Sequence, residues 1–180
     1  MNILGIESSC DESAAAVVRS PRDILANVVR SQIEAHAVFG GVIPELASRL
    51  HVEYLRPAVD KALDKAGFSI RDIDLIAVTH RPGLTGCLLT GAMLAKGLAW
   101  LSGRPLVMVD HLLGHLLAPD LESPMIYPCI GGIFSGGHCN IYYSRSPLEW
   151  KMLAHTRDDA PGESFDKVAK LMELGYPGGP

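Results

Sequence analysis

The feature that most restricts the fold is an order of segments that runs through once and then begins again. Residues 2–8 are built on a continuous apolar run, Ile3-Leu4-Gly5-Ile6, and residues 14–20 and 24–32 are rich in Val and Ile, with polar turns at residues 8–12 and 21–23. This predicts three strands in a meander. Leu46, Leu50, Leu55, Val59 and Leu63 then recur at helical spacing, so residues 44–66 are predicted helical, with Pro57 kinking or breaking the helix and Gly67 ending it. A buried-type strand over 73–79, a helix over 84–101, a strand over 105–109 and a short helix over 111–118 stopped by Pro119 complete a βββαβαβα series. After a Pro-containing connection at 123–128 the order restarts, with strands near 127–135, 140–144 and 150–155 and a helix from 162 or 163 to 174. The repeat is one of topology, not of sequence.

The chain has 180 residues, 48% of them hydrophobic, which suffices for one core and part of a second. A net charge of −4 gives no basic face of an autonomous nucleic-acid binder, although Arg19, Arg22 and Arg30 can form a local patch. If RNA is a substrate, much of its grip comes from elsewhere. Cys10, Cys87, Cys129 and Cys139 form no CxxC pair and no disulfide framework, which suits a reducing, cytoplasmic location. The N-terminal apolar run meets Glu7 at once, so no signal peptide is expected. The apolar stretch at 83–101 contains Lys96 and several glycines and is read as a buried crossover helix, not a membrane span.

Four segments carry chemistry. His111 and His115 stand at i and i+4, one turn apart on one helix face, a spacing that clamps a metal and that two unrelated helix histidines also produce. Asp110 is placed to cap that helix or to orient a histidine. The helix lacks the Glu of HExxH and so the usual general base of zinc peptidases. Ser135-Gly136-Gly137-His138 turns between two strands, where paired glycines either cradle an anion with backbone N–H groups or make an ordinary hairpin. Glu7-Ser8-Ser9-Cys10-Asp11-Glu12 is the corresponding turn of the first series: a catalytic carboxylate loop or a solvated one. Cys10 lacks a visible base partner and is read as a small half-buried thiol. In Asp158-Asp159-Ala160-Pro161-Gly162-Glu163-Ser164-Phe165-Asp166-Lys167 most acids serve capping, but Asp166 lies inside the helix and can reach a ligand. His36 and Glu45 are expected at the surface or an interface.

The repeated βββα order, with a small-residue turn after each first strand, resembles the two-lobed actin/Hsp70/sugar-kinase-like (ribonuclease H-like) α/β fold, residues 1–123 being the first lobe and 124–180 a truncated start of the second. Motif by motif the chain also resembles the TsaD family. The residues that carry this are Gly5-Ile6-Glu7-Ser8-Ser9-Cys10-Asp11-Glu12, Gly40-Gly41-Val42-Ile43-Pro44-Glu45-Leu46-Ala47-Ser48-Arg49, Pro82-Gly83-Leu84, the histidine pair with Leu116-Leu117-Ala118-Pro119, Ser135-Gly136-Gly137-His138, Phe165-Asp166-Lys167 and Tyr176-Pro177-Gly178-Gly179-Pro180.

The resemblance implies a transferase that moves threonylcarbamoyl from its adenylate to the N6 amine of the adenosine beside the anticodon of tRNA. It further implies iron or zinc on His111 and His115, and a donor site lined by Phe134, Ser135, Gly136, Gly137 and His138. Asp166 and Gly179 would lie on the adenosine portion, with Asp11 and Glu12 near the transferred group. Partners implied are tRNA and TsaB-like and TsaE-like proteins; a homodimer is allowed and no membrane is involved. Full members supply a further aspartate ligand and an asparagine contact beyond the length of this chain, so weak metal retention and little activity are expected of it alone. Arg81, Cys139 and Pro161 depart from the family pattern, Arg81 being the most disruptive expectation because a glycine is usual there. The competing readings are an O-sialoglycoprotein metalloendopeptidase (glycoprotease) and a non-catalytic scaffold that binds the partner proteins through the helices at 44–66.

Overall fold

In the computed structural model, which describes residues 1–179, the first segments place side chains on alternate faces, as half-buried strands require. β1 (Asn2–Glu7) buries Leu4 and Ile6; β2 (Glu12–Arg19) buries Ser13, Ala15 and Val17; β3 (Asp23–Ser31) buries Ala26 and Val28. The three form the expected antiparallel meander. β4 (Leu75–Arg81) joins the free edge of β1 in parallel and β5 (Leu106–Asp110) joins β4, giving a sheet of order β3-β2-β1-β4-β5. Parallel neighbours need long crossovers, and here both are helical.

α1 (Ile33–Ala37) precedes the first long crossover helix, α2 (Pro44–Ala66), which packs on β2 and β3. The second crossover, α3 (Thr85–Ser102), packs on β4 and against α2. α2 buries Ala47, His51, Leu55, Ala58, Val59, Ala62 and Leu63, a stripe three or four residues apart. Leu4, Val17, Leu55, Val59, Ile73, Ile76 and Val78 are essentially sealed from solvent within one core. Each such aliphatic side chain contributes about 1.5–3 kcal/mol relative to exposure.

Several expectations change. Pro57 neither breaks nor divides α2, which stays one element. Pro57 and Glu53, whose carbonyl it deprives of a donor, both lie on the exposed face, where water replaces the lost bond. The strand expected at 73–79 begins at Leu75 because Ser69 and Asp72 close a capping box around a 3₁₀ turn at Ile70–Asp72. Pro119 does not stop the chain's helical course: α4 (His111–Leu117) passes into a 3₁₀ turn, Ala118–Leu121, where a proline near the start forfeits no internal bond. Short α1 was not foreseen, and it turns His36 fully inward instead of leaving it at the surface.

β6 (Cys129–Phe134), β7 (Cys139–Ser146) and β8 (Glu149–His155) form a separate antiparallel sheet in sequence order, followed by α5 (Pro161–Leu171). By contacts the chain divides into two compact units: Met1–Ala35 with Val42–Gly114, and His36–Gly41 with the residues from His115 onward. In the second unit Ile133, Asn140, Tyr142 and Ser144 are buried, and Tyr127 meets Trp150 edge to face with centroids 6.5 Å apart. Ile130, Phe134, Ile141, Met152 and Leu153 of this sheet are exposed.

The turn after β1 is held by backbone. The Leu84 N–H donates to the Ser9 carbonyl at 2.8 Å, and a Cβ on Gly83 would lie 2.5 Å from that oxygen and 2.8 Å from Ser9 Cβ. The close approach that needs glycine is at 83, not 81: exposed Arg81 fits without strain and pairs with Asp110 at 3.5 Å. Gly83→Ala is therefore expected to destabilise the chain by about 1–3 kcal/mol, measured by urea unfolding, whereas Arg81→Gly changes stability by under about 0.5 kcal/mol, as surface substitutions do.

Candidate functional site

In the first unit the parallel strands end in a cluster around Glu7. Its Oε1 accepts the Ser9 N–H at 2.5 Å, its Oε2 accepts the Thr79 hydroxyl at 2.6 Å, and His111 Nδ1 lies 3.1 Å from Oε2. Burial alone would raise this carboxyl, but the bonds from His111, Ser9 and Thr79 outweigh it and bring it down to about 2. An ionised carboxylate only accepts, so Nδ1 of His111 carries the hydrogen, and in the neutral ring the lone pair is on Nε2. Ser9 Oγ lies 3.2 Å from the same Nδ1.

α4 starts where Asp110 caps it: Asp110 Oδ1 accepts the N–H groups of Leu112 at 3.0 Å and Leu113 at 3.2 Å. Of the two roles open to Asp110, capping is the one observed. His111 and His115 are the first and fifth residues of this helix, His111 partly buried and His115 exposed. Among the described residues no group of three or more His, Cys, Asp or Glu side chains is arranged to hold a metal.

Asp11 and Glu12 lie in the same turn, Asp11 partly buried and Glu12 exposed at the first position of β2. The Asp11 carbonyl accepts the Gln32 N–H at 3.0 Å. Desolvation, and then the charge of Asp11, pushes the Cys10 thiol up to about 12, so it is not a thiolate nucleophile near neutral pH. Sequence reasoning missed Thr79 and His51 here. Thr79 reads as an ordinary strand residue, and His51 stands in a buried helix stripe that apolar counting skips.

In the second unit, Ser135, Gly136, Gly137 and His138 form the turn between β6 and β7. The Ser135 N–H donates to the His138 carbonyl at 2.8 Å and the His138 N–H to Ser135 Oγ at 3.1 Å. The N–H groups of Gly136 and Gly137 take no part in these bonds, neither glycine has positive φ, and a Cβ on either would meet nothing within 4 Å. The turn's carbonyls cap α5 instead: Gly162 N–H donates to Ser135 O and Glu163 N–H to Gly136 O, each at 3.2 Å. A Cβ on Gly162 would fall 2.7 Å from Gly136 Cα. Phe134 is exposed at the end of β6.

Asp166 Oδ1 accepts the Gly178 N–H at 2.7 Å, folding the Gly-rich tail onto α5, where a Cβ on Gly178 would strike the Phe165 carbonyl at 2.4 Å. Asp166 also lines a hollow of about 390 Å³ with Phe39, Gly40, Lys170, Glu173 and Tyr176; exposed Gly179 is not in its wall. The contribution of residues near 39 was invisible in the sequence, because nothing local marks a segment so distant from α5 as its neighbour. Asp159 and Glu163 both pair with Lys167, the capping-type use expected of these acids.

The sheet order and the restart of the strand series define a member of the actin/Hsp70/sugar-kinase-like class of α/β folds. Solved structures share this fold. YeaZ from Pseudomonas aeruginosa is 21% identical with a TM-score of 0.55, covering 89% of this chain and 68% of that one. Component A of the (R)-2-hydroxyglutaryl-CoA dehydratase of Acidaminococcus fermentans is 14% identical with a TM-score of 0.56, covering 96% and 54%. The ethanolamine utilization protein EutJ from Carboxydothermus hydrogenoformans is 16% identical with a TM-score of 0.54, covering 98% and 58%.

Within that class the chain belongs to the TsaD family, whose model, described as tRNA N6-adenosine threonylcarbamoyltransferase, matches residues 23–180. Curated relatives of that name are 54% identical in Treponema denticola, over 99% of this chain and 53% of the relative, and 54% identical in Sorangium cellulosum, over 100% and 54%. One in Staphylococcus aureus strain Newman is 50% identical over 99% and 52%. The chain thus spans about half the length of the curated relatives it matches.

Because the Glu7 carboxyl falls from its ordinary 4.5 to about 2, the stability it contributes is complete above about pH 4.5. It declines as pH falls through that interval and is gone below about 2. Glu7→Gln is expected to remove this part of the acid limb, roughly 2 kcal/mol after allowance for partial solvent exposure, read from denaturant melts between pH 2 and 6.

Proposed function

We propose that this chain is the N-terminal part of a cytoplasmic tRNA N6-adenosine threonylcarbamoyltransferase, moving threonylcarbamoyl from its adenylate to the adenosine beside the anticodon. Family membership supports the activity, and the observation in the structure that carries it is the Glu7–His111 bond. A carboxylate on Nδ1 is the arrangement that fixes a metal-ligating imidazole with Nε2 as the donor nitrogen. Two imidazoles on one helix face suit iron or zinc, and among the described residues no third His, Cys, Asp or Glu completes a set with them. A metal bound there would polarise the carbamoyl carbonyl.

The chain's own residues do the rest. The adenosine N6 attacks the carbamoyl carbon, the bond from that carbon to the adenylate oxygen breaks and AMP leaves. Asp11 or Glu12, in the turn held beside His111, accepts the amine proton. Gly136 and Gly137 have no conformational or steric reason of their own to be glycine, which favours a backbone approached by the donor at Phe134–His138. The hollow beside Asp166 would take the adenosine portion, with Gly179 contacting it from the same Gly-rich tail. Among the described residues no helix is long and apolar enough to cross a membrane.

A partner-binding role accompanies this reading. Val52 on α2 and Leu89, Met93, Trp100 and Leu101 on α3 are exposed, an apolar set suited to TsaB-like or TsaE-like proteins. The peptidase reading gains nothing, since α4 carries no glutamate.

The test measures threonylcarbamoyladenosine in hydrolysed tRNA after reaction with the donor adenylate and the partner proteins. A protein that carries this segment at the length of its relatives is expected to transfer, and His111→Ala to lower kcat at least about a hundredfold. Asp11→Asn combined with Glu12→Gln lowers it about a hundredfold or more. The 180-residue chain alone is expected to transfer little and to lose iron or zinc to a chelator; near-stoichiometric, chelator-resistant metal would overturn that part.

A further inference from the structure

We infer that His51 is a positioning residue that sets the geometry of the turn bearing Asp11 and Glu12. His51 is fully buried in α2, a helix remote in sequence from that turn. Its Nδ1 lies 2.6 Å from Ser13 Oγ and its Nε2 lies 3.0 Å from the Cys10 carbonyl. A carbonyl only accepts, so Nε2 carries the hydrogen; in the neutral ring Nδ1 then accepts from the Ser13 hydroxyl. One imidazole therefore bridges both ends of the four-residue segment 10–13, and the two acids are the residues between its contacts.

The helix does not need a histidine there for packing. Every other buried position of its stripe is Ala, Leu or Val, and an aliphatic residue would fill the same space without burying polar atoms. What histidine adds is two directed bonds at the entry to β2: Cys10 and Asp11 precede the strand, and Glu12 and Ser13 are its first two residues, paired with Ser31 and Arg30. Other anchors of the turn are the Gln32 N–H to the Asp11 carbonyl at 3.0 Å, the Leu84 N–H to the Ser9 carbonyl at 2.8 Å, and the bonds of Ser9 with Glu7 and His111. Among these anchors, His51 is the one that holds both the Cys10 carbonyl and Ser13 Oγ, on either side of the two acids.

The catalytic consequence rests on the proposed transfer reaction; the positioning does not. In the 180-residue chain, amide hydrogen exchange is compared for wild type, His51→Leu, His51→Gln and Ser13→Ala. His51→Leu is expected to speed exchange of the Gln32 amide, which donates to the Asp11 carbonyl, about tenfold or more, with Ile6 and Val78 amides within about twofold. His51→Gln, whose amide can still donate to the Cys10 carbonyl, recovers part of the protection, and Ser13→Ala loses part of it. Unchanged exchange at Gln32 in His51→Gln, Ser13→Ala and any folded His51→Leu overturns the positioning.

In the transfer assay with the longer protein, His51→Leu lowers kcat about ten- to hundredfold with KM for the donor adenylate within about threefold, and His51→Gln restores part of kcat. Faster exchange with unaltered kcat overturns the catalytic consequence. Absence of transfer in the wild type overturns the functional reading and leaves the exchange result to decide the positioning.

Discussion

A carboxylate at the end of a central strand must find donors or give up its charge, and Glu7 finds them in three places. Thr79 brings the end of β4, Ser9 brings the turn that follows β1, and His111 brings the start of α4. The elements of the first unit that bear chemistry are thus referred to one buried charge. Loss of any single donor leaves that charge less compensated, which is costlier than the loss of one neutral bond. This is why the parallel half of the sheet and the meander half end at the same cluster.

Around that charge the chain relies on close backbone approach. Gly83 sits against Ser9, and Gly91 lies where a Cβ would come within 2.2 Å of Ser8 Oγ, whose hydroxyl donates to the Cys87 carbonyl at 3.0 Å. The turn after β1 is therefore clamped from one side by α3 and the segment leading into it, and from the other by α2 through His51. A turn gripped this way carries Asp11 just ahead of the β2–β3 ladder and Glu12 at its first rung.

Periodicity made the strands of the first meander, the crossover helices and the class of fold legible. Where it failed, a specific polar interaction had overridden a local rule: the Ser69 capping box shifted β4, and exposure of the Glu53 carbonyl made Pro57 harmless. His51 and Thr79 escaped notice because a lone polar residue in an apolar stripe carries no sign of what it touches. His111, His115, Ser135–His138 and Asp166 were legible only as members of a series of motifs, since each by itself has an ordinary explanation. The wall of the Asp166 hollow joins residues near 39 to residues near 170, a pairing that no local pattern encodes.

The contact between the glycine turn and α5 has an electrostatic side. A helix N-terminus attracts anions because its first N–H groups lack partners. In α5 the Gly162 and Glu163 N–H groups already point at the carbonyls of Ser135 and Gly136, and Glu163 adds a negative side chain. The potential at this end of the helix is muted by the protein itself, and what the turn and helix expose there is mostly bare backbone.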